Sequence, residues 1–260
     1  MDFLMQFTGL DLSWWAWLIV LTSGAGIGIA KTAVPGSGIL VVALMAMALP
    51  SRMSVGVLLP LLIFGDMFAL GKFWRYTDRK LLLSLIPFAL LGLGTGFFIL
   101  RYVSDENLKP IIGAIILSLL AVRQVSEYFK RKERTGDGDP TERRNPFLMV
   151  LFGFFSGLGT GMANSSGPIL SLYFLILRLP KLPFMATTTW FFFIMNMLKV
   201  PLFISLGIIS LQSLKIGLLA LPSVAGGALL GFWIVARISQ HRFNQVVLAL
   251  AFVAAVRLIV

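Results

Sequence analysis

Long apolar runs alternate with short polar connections along almost the whole chain. The runs fall at 14–30, 38–49, 55–71, 81–100, 108–122, 147–162, 168–177, 184–206, 214–236 and 243–259. Those at 81–100, 184–206 and 214–236 hold about 20 residues, enough for a helix to cross a hydrocarbon core of roughly 30 Å. Lipid offers no hydrogen-bond partners, so a spanning segment must satisfy its backbone internally, and these runs read as helices. The first two runs of each half are short and interrupted by glycine. They read either as half-helices that re-enter the membrane or as tilted full spans. The pattern predicts an all-α polytopic membrane protein: a first five-segment repeat over 14–122, a polar linker over 123–145, and a second five-segment repeat over 146–260.

The polar connections assign the sides. Lys72, Arg75, Arg79 and Lys80 follow the third run; Arg123, Lys130, Arg131, Lys132, Arg134, Arg143 and Arg144 crowd the linker; Arg178 and Lys181 precede the eighth run and Arg237 and Arg242 the tenth. The alternate connections and ends hold only Arg52, Arg101, Lys109, Lys215 and Arg257. Basic residues stay on the cytoplasmic side. The linker is therefore expected in the cytoplasm and both termini on the periplasmic or extracellular face. The linker is also polar and contains glycine and proline, as a mobile connection does. Its basic cluster anchors topology, with anionic lipid headgroups as a second role.

The halves also match each other. Ser23-Gly24-Ala25-Gly26-Ile27-Gly28-Ile29-Ala30-Lys31 aligns with Ser156-Gly157-Leu158-Gly159-Thr160-Gly161-Met162-Ala163-Asn164. Further on, Pro50 meets Pro180, Asp66 meets Asn196, Pro87 meets Pro222, Gly92 meets Gly227 and Gly96 meets Gly231. Five segments per half is odd, and so is three if each short pair is a re-entrant hairpin. The second half then starts on the opposite side, which makes the two halves inverted repeats of the kind secondary transporters use.

Candidate chemistry collects at the glycine breaks. Pro35 and the surrounding glycines interrupt a helix after Lys31 and Thr32, and Gly167-Pro168 interrupts one after Asn164. Irregular backbone at membrane depth survives only inside protein or beside a wet cavity, and matched breaks point to a substrate site. Half-helix N-termini near Gly38 and Pro168 favour an anion. Lys31 adds charge, and Thr32, Ser37, Asn164, Ser165 and Ser166 add neutral donors. The blander reading is close packing of small residues, with Lys31 snorkelling to an interface. Lys31, Asp66 and Lys199 are the ionisable residues expected within the membrane, where such groups mark function by default. Asp66 is the sole acid in any apolar run. It reads either as a proton carrier or as a fixed partner for a lysine. Lys199 lies three residues after Asn196, on one helical face with it. It reads as an anion contact, as an ion pair with Asp66, or as an interfacial residue. Thr187, Thr188 and Thr189 either face the cavity or bond back to their helix. Trp190 and Phe191–Phe193 read as lipid-facing or packing residues rather than a stacking platform.

Composition closes off other classes. The chain is 58% hydrophobic and 13% charged, whereas a soluble domain carries roughly 25% charged residues. The net charge of +11 would suggest nucleic acid in a soluble protein; here it follows from loop orientation, and no nucleic-acid partner is expected. There is no cysteine, and the single histidine, His241, falls in a predicted loop, so no metal site or cofactor is expected. Asp2 and Asp11 stand where a signal peptide would be basic, so the first run should stay as a membrane segment. No P-loop, HExxH or GxSxG motif and no paired acids within the membrane point to ATP use or catalysis. The expectation is not an enzyme but a transporter, with the lipid bilayer and a small anion as its partners; the oligomeric state stays open.

The glycine-rich broken segment near the start of each half, the Pro50 and Pro180 turns and the two halves joined by a basic linker resemble the TauE/SafE family of sulfite and organosulfur-anion transporters. The resemblance covers about residues 17–259. Family members usually carry Gly-x-Gly-Gly-Gly in each half, whereas Ala30-Lys31 and Ala163-Asn164 stand where further glycines are common. The resemblance implies secondary transport, often export, of sulfite, sulfoacetate or related sulfonates across a bacterial inner membrane. On that basis alternating access is expected around a midplane site of Lys31, Thr32, Ser37, Asn164, Ser165, Ser166, Asn196 and Lys199, with Asp66 as proton carrier or ion-pair partner. An anion channel, or a permease for another oxyanion or a carboxylate, is the alternative.

Overall fold

The computed structural model describes residues 6, 8–10, 12–33, 38–100, 145–164 and 166–259. Its long elements are all helical: α1 (Trp14–Thr32), α2 (Gly38–Ala48), α3 (Ser51–Phe73), α4 (Arg79–Leu100), α5 (Pro146–Ala163), α6 (Gly167–Ile176), α7 (Lys181–Ser205), α8 (Leu211–Arg237) and α9 (Gln240–Ile259). Among the described residues there is no strand. Each helix coincides with an apolar run of the sequence to within a few residues. The run at 108–122 and most of the basic linker lie outside the described residues.

Helix starts follow local chemistry. Ser13 caps α1 by accepting from the Ala16 amide at 3.3 Å, and Asn145 caps α5 by accepting from the Phe147 amide at 2.9 Å, with Pro146 in the first turn. Ser210 and Ser213 cap α8 reciprocally. The helices α1, α4, α7 and α8, together with 53–76 around α3, are long and apolar enough to cross a membrane. Leu83, Leu91, Phe98, Leu218, Leu229 and Trp233 lie exposed on α4 and α8, a distribution that suits contact with lipid rather than water. By contrast α2 and α6 have 11 and 10 residues, so at about 1.5 Å per residue they cover roughly half of a hydrocarbon core. Every residue of α6 from Pro168 to Ile176 is buried. A buried half-length helix is the protein-enclosed arrangement that broken segments in membranes require.

The chain divides into two compact units. One contains α1, α2, α3, α8 and α7 from Thr189 onward; the other contains α4, α5, α6, α9 and α7 as far as Thr188. Each unit therefore draws helices from both halves of the sequence. In the first, Val20, Ile27, Met45, Leu58, Leu61, Ala220 and Val224 pack into one core. In the second, an aromatic chain runs from Phe152 stacked on Tyr173, through Phe174 against Phe184, to Phe184 against Phe243.

Each unit is organised on one tight helix pair, α1 with α8 and α5 with α4, and the two pairs make the same contacts. A Cβ on Gly28 would run into the Val224 carbonyl, and one on Gly157 into the Ala89 carbonyl. One on Gly227 would strike Ala25, and one on Gly92 would strike Phe154. Gly24 lies against the Ala220 carbonyl and Gly153 against that of Leu85. These contacts equate Gly28 with Gly157, one helical turn away from the Gly28–Gly161 match of the sequence repeat. The cause is the glycine spacing itself: Gly153, Gly157 and Gly161 recur every four residues, so sliding by a turn again brings glycine onto glycine. In the packing register Lys31 corresponds to Thr160 rather than to Asn164.

Candidate functional site

Lys31, Asp66 and Lys199, the ionisable residues expected within the membrane, all belong to the first unit. Lys31 sits in the last turn of α1, where a cation is favoured by the helix dipole. Its Nζ lies 2.7 Å from Oδ1 of Asp66 on α3. The contact is an ion pair rather than an aligned hydrogen bond. Oδ2 of Asp66 accepts from the Asn196 side-chain amide of α7 at 2.9 Å. Of the two readings open for Asp66 in the sequence, the lysine partner is present in the structure, and that lysine is Lys31. The carboxylate is fully buried, whereas the Lys31 side chain keeps 12% exposure. Lys31 is thus the more exposed member of the pair.

Neighbouring residues shape this pair. The Lys31 stem lies along α3 at Gly65, where an added Cβ would come 3.1 Å from Lys31 Cγ. The Lys31 ammonium stands 4.8 Å from the centre of the Phe192 ring, a cation–π distance. On α7, Phe192, Asn196, Lys199 and Phe203 follow at spacings of four, three and four and so share a face. Lys199 is buried to 1% exposure, with its ammonium 5.9 Å from the Phe203 ring. Its charge acts on both Lys31 and Asp66. Among the described residues, two amines and one carboxylate thus stand together inside apolar helices, where ionisable groups mark function.

Thr32 plays a different part. Its hydroxyl donates to the Gly28 carbonyl at 2.8 Å and to the Ala228 carbonyl at 3.0 Å. Where the sequence reading makes Thr32 a donor to substrate, the structure commits its only hydroxyl proton to joining α1 to α8.

The second break is built in the other unit. Asn164 ends α5 in the left-handed region at φ 51°, the conformation an αL cap requires. Ser166 opens α6 but does not bond an amide of its first turn. Its hydroxyl is buried, and it has no hydrogen-bond partner among the described residues; the same holds for Ser156 on α5, Ser171 on α6 and Thr188 on α7. Thr187 accepts from the Asp78 amide at 3.0 Å instead. Ser37 and Ser165 lie outside the described residues. Of the residues expected to form the site, Lys31, Thr32, Asn196 and Lys199 belong to the first unit with Asp66, while Asn164 and Ser166 belong to the second.

Two contributors escaped sequence reasoning. Phe192 is hidden within Phe191–Phe193, where a packing role is the natural reading; its spacing of four from Asn196 is the usable signal. Gly65 was one glycine among many, and only its place next to Asp66 marks it. Phe191, in agreement with the packing reading, is fully buried.

A family model described as "Sulfite exporter TauE/SafE" matches residues 20–258. No curated protein and no solved structure matches the chain.

Proposed function

The chain belongs to the sulfite exporter TauE/SafE family, and on that premise we propose that it is a secondary transporter exporting a small sulfur-containing anion through the Lys31–Asp66–Asn196–Lys199 cluster. The substrate class is sulfite, sulfoacetate or another organosulfonate. The single observation that carries the reading is a charged cluster enclosed by apolar helices in which one amine, Lys31, keeps partial exposure. A tetrahedral oxyanion suits it, because such a group takes charge from lysine and hydrogen bonds from an amide such as Asn196. Asn164 and Ser166 are the neutral donors of the second break, Ser166 at the start of the buried half-helix α6; Ser37 and Ser165 occupy the two breaks in sequence.

Alternating access between inverted halves is the mechanism we assign. The shared contact pattern of α1 with α8 and of α5 with α4 supports a structural repeat. So does the direct bond between Asp66 and Asn196, positions that the sequence repeat equates. The location that follows is a bacterial inner membrane with the linker in the cytoplasm.

The test uses proteoliposomes and labelled sulfoacetate and sulfite. A transporter gives saturable flux and counterflow; large conductance without counterflow identifies an anion channel and refutes the mechanism. Removing Lys31 alone would strand the buried Asp66 carboxylate, so the informative variant is Lys31→Gln with Asp66→Asn, which replaces the ion pair by two amides. It should keep its melting temperature and lose affinity roughly ten- to a hundredfold, the value of one hydrogen bond to a charged group. Wild-type affinity in this variant removes Lys31 from the site.

A further inference from the structure

We propose that the Asp66 carboxylate is a tethered stand-in for the transported anion, holding Lys31 when the site is empty and yielding it by taking up one proton when the anion binds. The inference rests on the transport reading above and extends it to the coupling ion. Its starting point is a conflict of occupancy. Lys31 is the accessible amine of the cluster, and the Asp66 Oδ1 already sits on its ammonium at 2.7 Å. A sulfonate that meets Lys31 must come to the same ammonium, beside a carboxylate that is fully buried and cannot turn to water. Two negative groups forced into one buried site do not both stay ionised. The sulfonate is the far stronger acid, so the proton goes to Asp66.

The step balances. One proton from solution adds to a carboxylate oxygen of Asp66, the Lys31 ammonium exchanges that oxygen for a sulfonate oxygen, and no other bond is made or broken. A proton and a sulfonate head group together bring no net charge to Lys31. The low dielectric of the membrane makes this matter, because each uncompensated charge placed there is costly. Asn196 is suited to either state. Its amide donates to Oδ2 of the carboxylate now, and its side-chain oxygen can accept from the protonated acid after a flip of the amide.

The groups facing Asp66 are few. From α1 comes Lys31, and from α7 come Asn196 and Lys199. Helix α8, which also packs against α3, has only Lys215 and Arg237 as charges, near its two ends, and α2 has none. Among the described residues Lys199 is therefore the one competing proton site, and the test must separate it from Asp66.

The experiment is sulfoacetate binding to the purified full-length protein, by titration calorimetry from mildly acidic to mildly alkaline pH in pairs of buffers with different ionisation enthalpies. Wild-type protein should take up close to one proton per sulfoacetate, and its affinity should fall about tenfold per pH unit on the alkaline side. Asp66→Asn should bind at least as tightly as wild type, with no proton uptake and no slope. Lys199→Gln should keep both. Binding without proton uptake in the wild-type protein overturns the proposal with no variant needed. A slope that survives in Asp66→Asn and vanishes in Lys199→Gln moves the proton to Lys199 and overturns it as well. Absence of sulfoacetate binding in every form overturns the transport reading along with it, so the two failures are distinguishable.

Discussion

The helix pair of each unit makes a sharp prediction, because each pair contains a glycine that faces its partner and one close by in sequence that does not. On α8, a Cβ at Gly227 would lie 2.7 Å from the Ala25 carbonyl carbon and 2.8 Å from its Cα, whereas a Cβ at Gly226 meets nothing within 4 Å. Ordinary contact begins at 3.4 Å, so Gly227→Ala requires α1 and α8 to part by about 0.6 Å or more, against backbone that cannot rotate away. Parting them also stretches the 3.0 Å bond from Thr32 to Ala228. Both substitutions gain helix propensity of about 1 kcal/mol. Only Gly227→Ala sets against this an overpacking cost of roughly 1–3 kcal/mol plus a weakened hydrogen bond. Gly226→Ala should raise the thermal midpoint in detergent by about 2–4 °C, and Gly227→Ala should lower it by a similar amount. The other unit repeats the experiment. Gly94 faces open space, while a Cβ at Gly92 would meet the Phe154 backbone. Equal shifts for the two members of either pair would refute the account of how these helices approach.

Two further outcomes follow from the site. Thr32→Val should cost about 1 kcal/mol of stability through the lost bonds to Gly28 and Ala228 while leaving the dissociation constant for sulfoacetate unchanged; a tenfold loss of binding at wild-type stability would return Thr32 to the site. Asn196→Ala should lower the thermal midpoint by the equivalent of about 1–3 kcal/mol, because Oδ2 of Asp66 then keeps no side-chain amide donor; an unchanged midpoint would mean that another group replaces it.

Much of the architecture was legible because lipid simplifies the code. A run of apolar residues has one structural outcome in a bilayer, so 184–206 and 214–236 read directly as α7 and α8. The second break was equally plain, since Pro168 suits the first turn of a new helix and stands there in α6; Pro35 lies outside the described residues. The three ionisable residues stand out against that background, and a lysine partner is one of the two readings the sequence leaves open for Asp66. Which lysine was beyond the sequence, because Lys31 and Lys199 approach the carboxylate from different helices and only tertiary placement decides between them. In the first segment of each half the helix contacts pair Gly28 with Gly157, one turn from the sequence match, since glycine at every fourth position fits its own image at more than one offset. Thr32 looked like a ligand because a hydroxyl beside a helix break suggests one. That its proton goes to Ala228, 196 residues further on, is a property of helix packing and has no local signal.

The mixed make-up of the two compact units bears on how the chain is made. Helix α1 leaves the ribosome early, yet the partner that receives its glycine face, α8, is synthesised near the end. Until then the small-residue surface of α1 and the hydroxyl of Thr32 must wait in the bilayer without their tertiary contacts. The first half alone lacks the partner of its own glycine face, and the order of synthesis keeps the Lys31–Asp66 pair without its Asn196 companion until α7, the seventh of the nine described helices, is made.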